Sequence, residues 1–299
     1  MKRSFRYHIT EKDAGKTVGA FLVEREYTPT CIKFLKKAEN LITVNGVWAF
    51  VNRELQAGDV LETVFLDEES SENIPAVEMP LDIVYEDADI LVVNKAARLP
   101  IHPTKGYERE SLANGVVAYY EKQGISFVFR SINRIDKNTT GLVIIAKNML
   151  SGSILGEAMR SREIRRTYLA VTEGELPEEG TIDLPIGRRA GSAVERCIDA
   201  NGAKAITHYE RLYTAKGYSL AKIHLETGRT HQIRLHMRAI GHPLPADELY
   251  HPVFTVIDRH ALHSWKLEFP HPITKERLCF SQPLPEDMRR ILDLEKGRF

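Results

Sequence analysis

One aspartate stands among cations and hydroxyls at the mouth of an apolar run. In SINRIDKNTTGLVIIAKN, residues 131–148, Asp136 lies between Arg134 and Lys137, and Asn138, Thr139 and Thr140 follow it. Gly141 to Ala146 is apolar and β-branched, so the stretch reads as a polar turn feeding a buried strand. Such a carboxylate can be a turn residue that bonds the backbone ahead of the strand. It can also be a nucleophile, if another segment supplies a cation to hold its charge. HLETGRTHQIRLHMRAIGHP, residues 224–243, is cation-rich enough to be that segment. A strand ends at Glu226, TGRT turns, and Thr230 is placed to cap a helix from His231 to Ile240. Gly241 falls at C′, and Ile233, Met237 and Ile240 make the buried stripe. Arg229 and Arg234 would converge with backbone N–H groups at the helix start, a place that attracts anions.

Other chemistries find less support. His231 and His236 are five apart, roughly 140° around a helix axis, so they cannot share a metal as an i, i+4 pair would. There is no HExxH, no GxSxG, no GxxxxGK[ST] and no GxGxxG. Cys31, Cys197 and Cys279 lie far apart without a CxxC, which gives no zinc site and fits a reducing compartment. No metal site is expected.

The chain has 299 residues and 43% hydrophobic content, enough for a large domain and a small one. Its formal net charge is zero, so a nucleic-acid site would have to come from local patches. From Phe129 to Ala170 eight Lys and Arg face three acids. Taken alone, that run reads as a solvated basic helix. The start, MKRSFRYHIT, has no apolar region of a signal peptide behind it, and no apolar run approaches membrane-spanning length.

The expected organisation is a small unit at 1–66, a linker at 67–80 and a large domain at 81–299. In the small unit, Thr17 to Arg25 has helical spacing. Thr30 would cap a second helix running to Lys37, with Lys33, Lys36 and Lys37 as a basic face. LITVNG (41–46) and LQAGDVLETV (55–64) read as strands with turns. DEESSENIPAVEMP (67–80) is acidic and aperiodic. Beyond it come LDIVYE, DILVVN, GLVIIA, TYLAV, THYERLY and YSLAKIHLE, interrupted by helical stretches at 111–124 and 151–165. Strands outnumber helices and do not alternate with them. That predicts an α+β fold with a mainly antiparallel sheet and flanking helices, not a doubly wound one.

These motifs, in order and spacing, resemble the RluA-type pseudouridine synthases. Asn133-Arg134-Ile135-Asp136-Lys137-Asn138-Thr139-Thr140-Gly141-Leu142, with Ala146-Lys147, is similar to the family's H-R-L-D-x-x-T-S-G-L and x-x-A-K. VVNKAARLPIHP (92–103), RRTYLAVTEG (165–174), TGRTHQIRLHMRAIGHPL (227–244), LHSWKLEFPHPIT (262–274) and PLPEDM (283–288) resemble further family segments. The likeness spans about residues 78–290. Residues 15–66 resemble, more weakly, an S4-type RNA-binding module. Seven positions depart from the pattern. Asn133 stands for His, Ile135 for Leu, Thr140 for Ser and Ala96 for Pro, while Arg98, Ala246 and His251 stand for glycines. An alanine at 246 would tolerate a left-handed backbone less easily than glycine.

The resemblance implies isomerisation of uridine to pseudouridine in structured RNA. Asp136 would be the nucleophile, attacking either ribose C1′ or the pyrimidine ring. Arg234 would keep it ionised, and Tyr168 would pack on the target base and assist removal of the C5 proton. Its ring could equally be an ordinary strand tyrosine in the core. The target uridine must leave the stack, and Arg134 would occupy the space it vacates. RNA contacts are also expected at Arg229 and, through the S4-like unit, at Thr30, Lys33, Lys36 and Lys37. No cofactor is implied. The expected partner is RNA, rRNA rather than tRNA, for a cytoplasmic monomer with no membrane association and no obligate protein partner. Two other readings stand beside this one. One is a non-catalytic S4-type RNA-binding protein on a decayed synthase fold; the retention of Asp136, Tyr168 and Arg234 speaks against it. The other is a hydrolase built on the same carboxylate, for which no motif supplies a water-activating base or metal.

Overall fold

The computed structural model describes residues 1–67, 71, 74–295 and 297. Its first unit is a four-stranded sheet with two short helices. The elements are β1 (Lys2–His8), α1 (Val18–Glu24), α2 (Pro29–Leu35), β2 (Ile42–Val44), β3 (Val47–Trp48) and β4 (Val60–Leu66). The sheet order is β1-β4-β2-β3. β1 was not foreseen, because its Phe5 is the only fully buried side chain in a charged stretch. It pairs with the whole of β4, from Lys2↔Leu66 to His8↔Val60. Alternate residues of β4, Leu61, Thr63 and Phe65, face a core with Phe21, Leu22, Cys31 and Leu35.

The second helix differs from expectation at both ends. Thr28, not Thr30, is its N-cap, accepting from the Cys31 N–H, and Pro29 takes the first position, where its fixed φ suits a helix and no N–H is needed. Thr30 lies inside the first turn and is exposed. The helix ends at Leu35, so Lys36 is its C-cap and Lys37 lies beyond. All three lysines are exposed.

The segment at 67–80 includes 68–70, 72 and 73, which lie outside the described residues. Its other residues follow the large unit closely. Asp67 receives both Arg130 Nη groups (3.0 and 2.7 Å), and the Ser71 Oγ accepts from the Phe129 N–H (3.0 Å).

The large unit comprises β5 (Ile83–Glu86), β6 (Ile90–Lys95), α3 (Leu112–Glu121), β7 (Thr140–Ala146), α4 (Met149–Arg160), β8 (Arg165–Glu173), β9 (Glu179–Asp183), β10 (Ile186–Arg188), β11 (Arg196–Ile198), β12 (Ile206–Ala215), β13 (Tyr218–Leu225), α5 (Gln232–Ala239), β14 (Leu262–Pro270), β15 (Arg277–Ser281) and α6 (Glu286–Leu292). Nine of these strands form one sheet, ordered β5-β6-β7-β14-β8-β13-β12-β9, with β15 paired to β14. β10 and β11 make a separate hairpin. Helices α3 and α5 bury Val116, Val117, Ile233 and Met237 on one face, against Val93, Val143 and Ile223. On the other face, α4 packs Leu155 and Ala158 on Ile144 and Leu267. α6 packs Met288 and Leu292 on Leu169 and Leu220. The fold is thus α+β, as the sequence predicts. The basic run at 129–170 is spread over a loop, β7, α4 and β8 rather than lying on one helix. Lys147 is buried and donates to Glu86 Oε1 (2.6 Å). Among the described residues no helix is long and apolar enough to cross a membrane.

All pairings in the nine-stranded sheet are antiparallel except β7 with β14, which run parallel over His263↔Thr140 and Ser264↔Gly141. This seam joins two antiparallel halves. It sets the starts of β7 and β14 side by side, so the loops entering both strands meet at one end. Tyr168 on β8 pairs with Ser264 across the same rung. Gly141 makes the seam possible. Its φ is +109°, and a Cβ there would lie 2.2 Å from the Ser264 carbonyl oxygen. Gly141→Ala should therefore lose more than about 2 kcal/mol, read as a fall in the midpoint of denaturant unfolding.

Two departures from the family pattern fall on left-handed backbone, Arg98 (φ +61°) and Ala246 (φ +55°). Such residues carry roughly 1–2 kcal/mol of strain each. The Ala246 methyl is buried, so glycine there would trade strain for about 0.8 kcal/mol of lost burial. Arg98 is exposed and holds only a surface pair with Asp258. Arg98→Gly is expected to stabilise the chain by about 0.5–1 kcal/mol, measurable as a raised melting temperature.

Candidate active site

Asp136 stands on the loop that enters β7. Its carbonyl accepts the Thr139 N–H (3.1 Å), closing the turn through the backbone. The carboxylate is therefore free of turn duty. Oδ2 receives Arg234 Nη1 at 3.0 Å, and about a quarter of the Asp136 side chain is exposed. Oδ1 has no hydrogen-bond partner among the described residues and faces a cleft.

Arg234 comes from the first turn of α5 and is nearly inaccessible. Its Nε and Nη2 donate to Asp247 Oδ2 and Oδ1 (2.8 and 2.6 Å), a bidentate pair. Asp247 in turn accepts the Leu249 and Tyr250 N–H groups, both at 3.2 Å. One guanidinium thus ties two carboxylates together. Burial alone would push the Asp136 pKa up. The Arg234 charge, helped by His231 and His260, carries it below the ordinary carboxylate value. Asp247 moves the same way against its own burial, through the same arginine.

Helix α5 does not begin as expected. Thr230 does not cap it. The N-cap is His231, in a left-handed conformation (φ 60°) and without a side-chain cap bond. Gln232 braces the preceding turn instead, with its Oε1 accepting from the Arg229 N–H (3.0 Å) and the Thr227 hydroxyl (2.9 Å). The His231 Nδ1 lies 2.7 Å from the Tyr250 hydroxyl. Gly241 follows the C-cap with φ +86°, as a C′ glycine should.

Above Asp136 lies a shallow cleft open to solvent. Its wall includes Arg134, Arg166, Tyr168, Arg229, Arg234 and Leu262. Tyr168 is buried by all but the edge of its ring, and it both lines the cleft and belongs to the core. Burial raises its pKa, and the Arg166 cation beside it opposes that rise. Arg134 and Arg229 are exposed at the rim. Arg229 does not converge with Arg234 on the carboxylate; its Nε donates to the Lys204 carbonyl (3.1 Å). The α2 residues Thr30, Lys33, Lys36 and Lys37 belong to the small unit and form no part of the cleft wall.

Several residues around Asp136 were not anticipated. Lys95 is fully buried and donates to the Ala96 and Lys137 carbonyls (2.7 and 2.9 Å), pinning the Asp136 loop to the end of β6. Burial lowers its pKa to about 7, against the pull of Asp136. The His260 Nε2 lies 2.8 Å from the Thr139 hydroxyl, and Arg259 donates to the Asn138 carbonyl (3.3 Å). Lys95 sits in a segment whose likeness to the family was visible, Asp247 lies between the departures at Ala246 and His251, and His260 gave no sequence signal. Asn133, where the family has His, bonds the backbone of β7 at Leu142 and Ile144 (3.1 and 2.8 Å). His251 has ordinary backbone and meets Glu173 Oε1 at 2.9 Å. Among the described residues one trio, Asp87, Asp89 and His271, could approach a metal ion. Its oxygens are already engaged: Arg3 and Asn148 hold Asp89, and backbone N–H groups with Tyr85 hold Asp87.

The seam of two antiparallel half-sheets thus holds an arginine-paired aspartate open to a cleft. The sequence profile of the RNA pseudouridylate synthase family matches residues 89–239. "Uncharacterized RNA pseudouridine synthase YjbO" of Bacillus subtilis is 39% identical over 252 residues, covering 84% of this chain and 89% of its own. "Ribosomal large subunit pseudouridine synthase D" of Yersinia pestis is 35% identical over 275 residues, covering 87% and 84%. The structure of human RNA pseudouridylate synthase domain containing 1 superposes with a TM-score of 0.57 at 27% identity, covering 70% of this chain and 85% of that one. The chain belongs to the RNA pseudouridylate synthase family and is of the RluA type.

The buried histidines make the site acid-sensitive. Burial lowers His260 to about 3 and His263 to about 4. In the unfolded chain both titrate near 6.5. Below that value the unfolded state binds more protons, so stability is complete above about pH 6.5 and falls as pH drops toward 4 and 3. Melting temperature should decline between pH 7 and 5, and less steeply in a His260→Gln variant.

Proposed function

We propose that this chain converts uridine to pseudouridine in large-subunit rRNA, with Asp136 as the nucleophile. The observation that carries this reading is the carboxylate itself. It is held ionised from one side by Arg234, with its second oxygen open to a cleft rimmed by arginines. The flipped uridine would enter that cleft with its ring against Tyr168. In the route that fits an ionised carboxylate, an Asp136 oxygen bonds to ribose C1′ as the bond to N1 breaks, and the electron pair leaves with uracil. Uracil turns and C5 attacks C1′, releasing the carboxylate. The C5 proton passes to solvent water, with Tyr168 packed beside the ring to assist, and N1 gains one. Atoms and charge balance without a redox partner.

Arg134, exposed at the rim, would fill the gap left by the flipped base. The exposed Lys33, Lys36 and Lys37, with Thr30, support reading residues 1–66 as an S4-like RNA-binding module beside a catalytic domain at 81–299. The relative named for the ribosomal large subunit supports rRNA over tRNA. We place the enzyme in the cytoplasm as a monomer.

Tritium release from C5-labelled uridine in unmodified rRNA and tRNA transcripts tests this. Wild-type protein should release it from large-subunit rRNA, and Asp136→Asn should be slower by at least about 10³-fold. Wild-type rates in that variant would overturn the assignment of the nucleophile. Release from tRNA alone would overturn the choice of RNA.

A further inference from the structure

One cation of the cleft has no role in the mechanism above. Arg166 stands two residues before Tyr168 on β8, so both side chains project from the same face of the strand. Both line the cleft, Tyr168 buried and Arg166 half-buried, nearer the mouth. The other arginine deep in this cleft, Arg234, is neutralised by two carboxylates. Arg166 pairs with no carboxylate among the described residues, and its buried Nε has no hydrogen-bond partner. A half-desolvated guanidinium with an unmet N–H is unfavourable unless a ligand completes it.

Gly228, in the TGRT turn, supplies a second observation. A Cβ there would lie 3.0 Å from Arg166 Nη1 and 3.6 Å from Nη2. The backbone of Gly228 is not left-handed, so its conformation does not call for glycine. The missing side chain serves clearance: it leaves a notch in which the guanidinium lies beside the cleft. A planar fork of donors at the mouth of an open cleft suits phosphate oxygens.

We infer that Arg166 is a substrate-contacting residue whose guanidinium, seated in the notch at Gly228, binds a phosphate of the flipped nucleotide. The inference rests on the pseudouridine synthase reading and adds an anion subsite to it. The phosphate would take the unmet Nε–H with one Nη, leaving the cation beside Tyr168.

The test uses the full chain and an unmodified large-subunit rRNA transcript. Binding is measured in an Asp136→Asn background, so that turnover does not enter. Arg166→Gln should weaken binding by about tenfold and flatten the slope of log affinity against log salt by about 0.7, one phosphate contact. Arg166→Lys should keep most of the slope. Gly228→Ala, which leaves the charge but crowds the notch, should weaken binding by less than Arg166→Gln and keep most of the slope. With Asp136 restored, tritium release by these variants should show a raised KM and a kcat within about threefold of wild type. Unchanged affinity and salt slope would overturn the inference, whether kcat falls, which would make Arg166 a positioning residue for Tyr168, or stays the same. If wild-type protein converts uridine in tRNA but not in this transcript, the rRNA reading fails, and the salt slope measured on that tRNA decides Arg166.

Discussion

An aspartate in a half-closed cleft stays ionised only if something outweighs its loss of water. Arg234 does so, and the rest of the site serves to keep that guanidinium in place. Its planar fork is committed twice to Asp247 and once to Asp136, so its orientation is fixed by the pair it does not activate. A lysine could neutralise one carboxylate but could not hold this geometry against two. Asp247 is fixed by backbone N–H groups, and Tyr250 lies under the guanidinium, 5.1 Å from ring to cation. The charge on Asp136 is thus anchored through three side chains to the loop that follows α5, far along the chain from its own turn.

The sheet explains how such distant segments meet. A wholly antiparallel sheet would alternate strand starts between its two edges. The parallel seam of β7 and β14 places two strand starts together, and the loops at 131–139 and 251–261 both arrive there. Thr139 meets His260 and Asn138 meets Arg259 across that gap. Gly141 is the point of closest approach, so the residue five after Asp136 is constrained by packing and not by chemistry. Strain gathers nearby as well. His231, Arg98 and Ala246 all take left-handed backbone in the cleft wall and its flanking loops.

The sequence exposes what is local and periodic. The apolar strand after Asp136, the glycine after α5 and the excess of strands over helices were all readable, and the likeness of the linked motifs pointed to Asp136 and Arg234, which the structure brings into contact. Long-range partners were not readable. Asp247 lies in a segment that looked like a departure, and only tertiary structure turns it into the anchor of Arg234. His260 has no periodic signature, since a buried histidine is chosen by its neighbours. β1 was missed because one buried phenylalanine in a charged heptad gives no alternation to count. Thr30 lost the cap to Thr28 because Pro29 suits the first helical position better than the cap's exit.

Charge distribution settles how a chain with no net charge can favour a polyanion. At the cleft floor, Arg234 is shared by two carboxylates, so that trio is net negative. At the rim Arg134, Arg166 and Arg229 carry charge that no carboxylate pairs with among the described residues. The gradient runs from positive mouth to negative floor across one cavity. A phosphate backbone is drawn to the mouth, while only the uncharged base and sugar can descend to Asp136. Local sorting of charge, with low-dielectric walls to focus it, does the work that overall charge does in strongly basic RNA-binding proteins.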